Sequence, residues 1–273
     1  MTALALAAAI TLGADPMVLV AVAPGYPGST AEAQPAMDAL AAALAEGARL
    51  PSGSIAASYY EAGEPGLERL SKPDAGLALV TLPFFLQHAA ALKLQARLTA
   101  VPKGAQPSEV WTLVAKKGRV ASPASLEGWQ ILSVAGYAPG FVRGAALGAW
   151  GRLPASAKVV QSGQVLSAMR KAVAGENVAV LLDGAQTAAL ATLPFAGDLE
   201  AVARSGPLPS SVVATVGRKV APERWRALER AFQGMRATPA GAAALDGVRT
   251  EGFVPVDAKT LDAARKAFAA VAR

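Results

Sequence analysis

Apolar runs alternate with helical patterns along the first part of the chain. The stretch MVLVAVAP (17–24) is apolar, rich in β-branched residues and closed by a proline–glycine turn, which predicts a buried strand. The segment that follows begins with serine and threonine, carries alanine and leucine at helical spacing and stops at Gly47, which predicts a helix. Further strands are predicted at 54–60 and 75–85. This alternation favours an α/β fold with a parallel sheet covered by helices.

A second series of strands and helices follows near residue 109 and ends at a return strand near 201–217. We therefore predict two α/β lobes joined by two crossing segments, near Ser108 and near Ser205–Pro209. A cleft between two hinged lobes is a common place for a ligand. The predicted boundaries are 15–107 plus 207–273 for lobe 1 and 108–206 for lobe 2.

Composition excludes several functions. Hydrophobic residues make up 53% of the 273 residues, charged residues 17%, and the net charge is +6. No run of lysine or arginine exceeds two residues, so the chain lacks the basic stripe of a nucleic-acid-binding protein. Cysteine is absent, and no nucleophile elbow, phosphate-binding loop or metal-ligand spacing is present. We predict a protein that is not an enzyme and uses no cofactor or metal.

The N-terminus, MTALALAAAITLGADP, is an uncharged apolar run that is too short to span a bilayer. It is similar to the apolar region of a secretory signal but lacks the positive start. Two interpretations remain open, a clipped or misannotated export signal and a segment left by cloning. We favour the first for residues 1–14, which predicts a periplasmic protein.

Four stretches carry a family resemblance through their order and spacing. They are DAGLALVTLPFFLQHA, EVWTLVAKKGRVASPASLEGWQILSVAGYAPGFVRGAAL, SGQVLSAMRKAVAGENVAVLLDG and SGPLPSSVVATVGRKVAPERWRALERAFQGM. The chain resembles the type 2 periplasmic solute-binding proteins of ABC transporters, and within them the phosphate/phosphonate-binding branch. The resemblance implies a two-lobed fold with a hinge of two crossing segments and a ligand cleft between the lobes. It also implies a receptor that closes on its ligand and passes it to a membrane permease or transporter complex.

The chain departs from the family where a phosphonate would be held. A glycine turn at 136–140 opens into a predicted helix from Pro139 to Trp150, a design that presents backbone N–H groups to an anion. The family pattern there is Ser-Thr-Ser-Gly, whereas this chain has Tyr137-Ala138-Pro139-Gly140. Val178 takes the place of a family acid, and Arg143 is the one cation of the segment. The side chains that would grip an anion are therefore missing.

Ten residues at predicted strand ends or helix starts are the candidate ligand contacts. Aromatic residues dominate the set, which is Tyr26, Tyr59, Tyr60, Thr81, Phe84, Phe85, Tyr137, Phe141, Ser162 and Asp183. Strand alternation sends adjacent side chains to opposite faces, so at most one of Tyr59 and Tyr60 should reach the cleft. The same holds for Phe84 and Phe85. Asp183 is either a ligand contact or a helix cap.

These substitutions lead to a prediction for the ligand. We predict a largely apolar molecule, lipid-like or sterol-like, with its polar end near Tyr137 or Asp183 and with negligible phosphonate affinity. Two alternatives stay open. One is a phosphate- or phosphonate-binding component of an ABC transporter, and the other is a lipid-shuttling interaction protein that does not close.

Overall fold

A computed structural model describes residues 16–271 and contains two mixed sheets with helices packed on their faces. The predicted export-signal remnant, residues 1–14, lies outside this range. The strands are β1 Met17–Val22, β2 Ile55–Tyr60, β3 Ala75–Thr81, β4 Leu94–Pro102, β5 Ser108–Glu109, β6 Thr112–Lys116, β7 Gln130–Ser133, β8 Lys158–Gln161, β9 Val178–Leu182, β10 Leu199–Arg204, β11 Leu208–Pro209, β12 Ser211–Val216 and β13 Thr250–Pro255. The helices are α1 Thr30–Gly47, α2 Gly63–Ser71, α3 Leu82–Leu92, α4 Pro139–Phe141, α5 Val165–Ala174, α6 Gly184–Leu190, α7 Pro222–Gly234, α8 Pro239–Gly247 and α9 Ala258–Val271.

The first sheet has the strand order β13-β4-β12-β3-β1-β2 and the second β10-β6-β9-β7-β8. In the first sheet β1 lies between β2 and β3 and is parallel to both. All six of its residues are buried, as expected for a strand covered by helices on both faces. In the second sheet β7 is parallel to β8 and β9. The parallel strands of each sheet therefore end at one edge, where ligands of α/β proteins bind.

The chain passes between the sheets through a short antiparallel pair. Strand β5 pairs with β11, with Glu109 opposite Leu208. Beside this pair the Ser205 amide donates to the Trp111 carbonyl at 2.8 Å, and the Trp111 amide donates to Ser205 Oγ at 2.9 Å. The two crossings are therefore tied to each other by backbone and side-chain bonds.

The C-terminal helix α9 follows the first sheet but packs on the second lobe. It contacts the glycine-rich segment at 139–146, and one apolar core that includes Phe85, Trp111, Phe141 and Leu261 runs through the contact. The predicted lobe 1, which includes all of 207–273, does not account for this packing of α9 on the second lobe. The lobe boundaries given above stay a prediction.

The predicted helix from Pro139 to Trp150 is wrong in its length and form. The structure has the three-residue α4 followed by a π-helical turn at Val142–Ala146. The reason lies in its glycines. A methyl group on Gly140 would meet the Phe268 ring at 2.8 Å, and one on Gly144 would collide with the Ala267 carbonyl of α9. The glycine spacing makes room for α9.

None of the helices between residues 16 and 271 combines the length and the apolar character needed to cross a membrane.

The packing of α9 can be tested at Gly144. We expect Gly144→Ala to destabilise the protein by about 1–3 kcal/mol, because the new methyl group overlaps a backbone carbonyl that must shift. Gly234→Ala is the matched control, since nothing lies within 4 Å of that position at the end of α7. Urea unfolding followed by circular dichroism measures both, and equal stability of the two variants would contradict the close contact.

Candidate ligand site between the lobes

Four of the predicted site residues meet where strands of the two sheets end. Tyr26 follows β1, Thr81 ends β3, Tyr137 follows β7 and Asp183 follows β9. The Tyr26 hydroxyl donates to Asp183 Oδ2 at 3.0 Å, and Thr81 Oγ1 lies 2.9 Å from Tyr137 Oη in a second hydrogen bond. Each bond joins the first lobe to the second. The strand ends therefore form one interface across the cleft.

Backbone contacts bring the same loop against the second lobe. A methyl group on Gly25 would lie 2.8 Å from the Val134 carbonyl oxygen and 3.3 Å from the side-chain Nε2 of Gln161. Gly25 also has φ +84°, a conformation that favours glycine. The turn after β1 therefore needs glycine both for its shape and for its close approach to the opposite lobe.

Asp183 caps α6, one of the two roles predicted for it, and its contact with a ligand stays a prediction. Its Oδ1 accepts from the Gln186 amide at 2.7 Å and its own amide donates to Gln186 Oε1 at 3.1 Å, which caps α6. Its other oxygen accepts from Tyr26. The side chain is 3% exposed, and this burial raises the pKa of Asp183, although the Gln186 amide and the Tyr26 hydroxyl oppose the rise.

Glu109, on the crossing strand β5, was missed by the sequence analysis. Its Oε2 accepts from the Gly184 amide at 3.0 Å, next to Asp183. Burial, and then the charge of Asp183, raises the pKa of Glu109 to about 7. Within residues 16–271 neither carboxylate forms an ion pair with a basic side chain. A lone acid inside a predicted crossing segment was the signal that could have identified it.

Trp111 lies two residues beyond Glu109 and is 1% exposed. Its ring packs edge-on against Phe141, with centroids 5.0 Å apart and an interplanar angle of 74°. The indole Nε1 has no hydrogen-bond partner among the described residues, although the ring neighbours the Glu109 carboxyl. A buried donor thus lies beside a partly buried acid and opposes the rise in the pKa of that acid.

The other predicted contacts are placed differently. Phe84, Phe85 and Phe141 are fully buried in the core that runs between the lobes. Tyr59 and Tyr60 point to opposite faces of the first sheet, as alternation requires, and only Tyr60 packs on the core that reaches the second lobe. Ser162 Oγ accepts from the nearby Gln164 amide at 3.2 Å in a local turn. These residues support the interface or lie beside it.

Three amides of the glycine-rich turn are bonded within the chain. The Ala138 amide donates to the Ala135 carbonyl, the Phe141 amide to the Ala138 carbonyl, and the Ala135 amide to Ser133 Oγ. Pro139 has no N–H to offer. These positions of the turn are therefore not free to bind an anion.

Arg143, the one cation of this segment, is also engaged elsewhere. Its guanidinium donates to the carbonyls of Pro154 at 3.1 Å and Ala157 at 2.5 Å. It lines a surface depression of about 850 Å³ that lies against the end of α9. This cation secures the loop after the π-helical turn. The charged side chains that hydrogen bonds place at the strand ends are those of Glu109 and Asp183.

Solved structures with the same architecture are two-lobed binding proteins. XAC2383 from Xanthomonas citri bound to chloride ion has a TM-score of 0.73 and 17% identity, with 95% of this chain and 99% of that chain covered. The same protein bound to ATP has a TM-score of 0.70 and 14% identity, with 95% and 98% covered. PhnD1 from Prochlorococcus marinus in complex with methylphosphonate has a TM-score of 0.62 and 10% identity, with 94% and 98% covered. At these identities the likeness shows the fold alone.

The family model of the periplasmic substrate-binding proteins of phosphonate ABC transporters matches residues 80–261, more than half of the chain. The chain therefore belongs to this family. A search of curated proteins gave no match. Family and fold confirm the predicted α/β, two-lobed type 2 architecture and the role in transport. Members of the family bind substrates outside the cytoplasm and deliver them to membrane permeases.

The bond between Tyr26 and Asp183 can be tested by removing one hydroxyl. We expect Tyr26→Phe to lower the free energy of unfolding by about 1.5–3 kcal/mol, the usual range for a hydrogen bond to a charged group. Tyr59→Phe is the control, because the Tyr59 hydroxyl makes no hydrogen bond to any residue from 16 to 271. Chemical denaturation measures both. A loss at Tyr26 no larger than at Tyr59 would show that the lobes are not joined by this bond.

Proposed function

We propose that the protein is a periplasmic receptor that binds a small solute between its lobes and delivers it to the permease of an ABC transporter. The observation that carries the proposal is the meeting of four strand ends, from both lobes, at Tyr26, Thr81, Tyr137 and Asp183. Ligands of α/β folds bind at strand ends. Polar groups from both lobes allow one ligand to contact the two lobes at the same time.

We further propose that the ligand carries a cationic amine. The interface holds the carboxyls of Glu109 and Asp183, and the only nearby cation of the glycine-rich turn is bonded elsewhere. At an effective dielectric constant of ~20, a unit positive charge 4 Å from a carboxylate gains about 4 kcal/mol, and a negative charge loses the same amount. The charges therefore favour an amine over a bare phosphonate.

Membership of the phosphonate family is compatible with this charge preference when one molecule carries both groups. An aminoalkylphosphonate would place its ammonium group near the two carboxyls. Its phosphonate would then contact hydroxyls such as those of Thr81 and Tyr137. We propose this class as the form of the ligand that best fits both the family and the site.

The lipid-like ligand predicted from the sequence receives no support from these contacts. That prediction needed an aromatic wall, yet Phe84, Phe85 and Phe141 are each 0% exposed and pack in the core. The residues that meet across the cleft are polar. We therefore do not carry the lipid-like or sterol-like ligand into the proposal, nor the shuttle that never closes.

A thermal-shift series with three small probes tests the ligand class. The probes are ethylamine, ethylphosphonate and 2-aminoethylphosphonate at neutral pH. We expect 2-aminoethylphosphonate to raise Tm the most, by about 5–10 °C at 100 times its Kd, because mass action then adds about 2.7 kcal/mol. Ethylamine should give a smaller rise and ethylphosphonate none.

Asp183→Asn, which keeps a residue able to cap α6, should abolish the shift. Asp198→Asn changes an exposed acid of the same lobe and should leave the shift intact. A shift with ethylphosphonate as large as that with 2-aminoethylphosphonate, retained in Asp183→Asn, would overturn the amine proposal.

A further inference from the structure

Glu109 stands at the start of a chain of contacts that runs from the hinge to both lobes. Its backbone belongs to the hinge strand β5 and faces Leu208 of β11. Its carboxylate accepts from Gly184, the residue after Asp183, and Asp183 accepts from Tyr26 of the first lobe. A change of charge on Glu109 therefore alters the electrostatic environment of the Tyr26–Asp183 hydrogen bond between the lobes.

The groups that act on the Glu109 carboxyl include a second acid and, among the described residues, no base. A positive charge would therefore be its electrostatic partner. Asp183 is the charged group that acts on it, and the Gly184 amide and the Trp111 indole are its polar neighbours. Burial raises the pKa values of Tyr26 and Tyr137, so both phenols stay neutral over the physiological range. Glu109, with its pKa raised to about 7, therefore changes charge between pH 5 and pH 8.

The Trp111 indole is the polar side chain next to the Glu109 carboxyl. Its Nε1 makes no hydrogen bond of ordinary geometry among the described residues, yet it lies close enough to the carboxyl to oppose the rise in the pKa of Glu109. The ionised form of Glu109 attracts this donor more strongly than the protonated form does.

We propose that Glu109 couples the charge in the cleft to lobe closure. With Asp183 it closes the lobes around a single positive charge, a proton in the free receptor and the cationic group of the solute in the loaded one. When both carboxyls are ionised and unpaired, the lobes separate and water solvates them. The ligand half of this statement rests on the proposed function, whereas the proton half does not.

The direction of the pH effect follows from linkage. We expect the closed form to bind the proton of Glu109 more tightly than an open form in which the carboxyl is solvated. In this structure, where Tyr26 of the first lobe lies near the carboxyl, burial raises the pKa of Glu109 from the ordinary 4.5 to about 7. Closure is therefore fully favoured below pH 4.5, weakens as pH rises through that window and changes no further above about pH 7. One pKa unit corresponds to a factor of ten, so the open-to-closed ratio should rise about tenfold per pH unit within the window.

Small-angle scattering on the ligand-free protein from pH 5 to pH 8 tests the proton half. We expect the radius of gyration to grow with pH up to about pH 7 in the wild type. Glu109→Gln, which mimics the protonated acid, should stay compact throughout. Glu176→Gln, the same change at an exposed acid of the second lobe, should follow the wild type. A wild-type radius independent of pH, or a Glu109→Gln profile equal to that of the wild type, would overturn the proposal.

A second variant and a second measurement keep the test decisive. If Glu109→Gln fails to fold, Asp183→Asn replaces it, and a pH profile as steep as that of the wild type would then count against the acid pair. Calorimetry with 2-aminoethylphosphonate at pH 6, in buffers of different ionisation enthalpy, measures the protons released. Release of about one proton supports the exchange of proton for ammonium, and binding without release overturns it. Absence of binding, with the scattering profile intact, refutes the ligand class and leaves the proton coupling standing.

Discussion

The hydrogen bond between Tyr26 and Asp183 fixes how the two lobes meet. One oxygen of Asp183 accepts from Tyr26 of the opposite lobe, while the other caps α6 within its own lobe. Because the same carboxyl holds a helix and a lobe contact, its position is set before closure, which reduces the entropy lost when the lobes come together. The Thr81–Tyr137 bond repeats the arrangement at the neighbouring pair of strand ends.

The charge of this site differs from the charge expected of a site that binds an anionic phosphonate. The fold is shared with proteins that are 10–17% identical in sequence, and at that distance side chains in the cleft are free to differ. Here three amides of the turn that would hold an anion are bonded within the chain, and two carboxyls without basic partners in the described chain lie at the interface. The family therefore indicates a solute receptor, and the acids are the basis of our proposal that its solute carries a positive charge.

Sequence reasoning identified residues that lie together at the strand ends, whose contact with a ligand stays a prediction, and it failed where packing decides. Tyr26, Thr81, Tyr137 and Asp183 could be selected because parallel strands end together, a rule that needs only strand direction. The helix predicted from Pro139 onward was wrong. Its glycines allow close packing against α9, which lies more than a hundred residues later in the chain. The three core phenylalanines owe their burial to a core that runs between the lobes, and Glu109 owes its raised pKa to burial and to Asp183, more than seventy residues later in the chain. A sequence pattern does not show such contacts.

A double-mutant cycle of Tyr26→Phe and Asp183→Asn on the free energy of unfolding tests the central claim most directly. The cycle isolates the energy that the two side chains share from what each contributes alone. Asn keeps the cap on α6, so the coupling reports the contact between the lobes. The account predicts a coupling of about 0.5–3 kcal/mol. Additive effects, with no coupling beyond error, would show that Tyr26 and Asp183 do not meet and that the lobes are joined in another way.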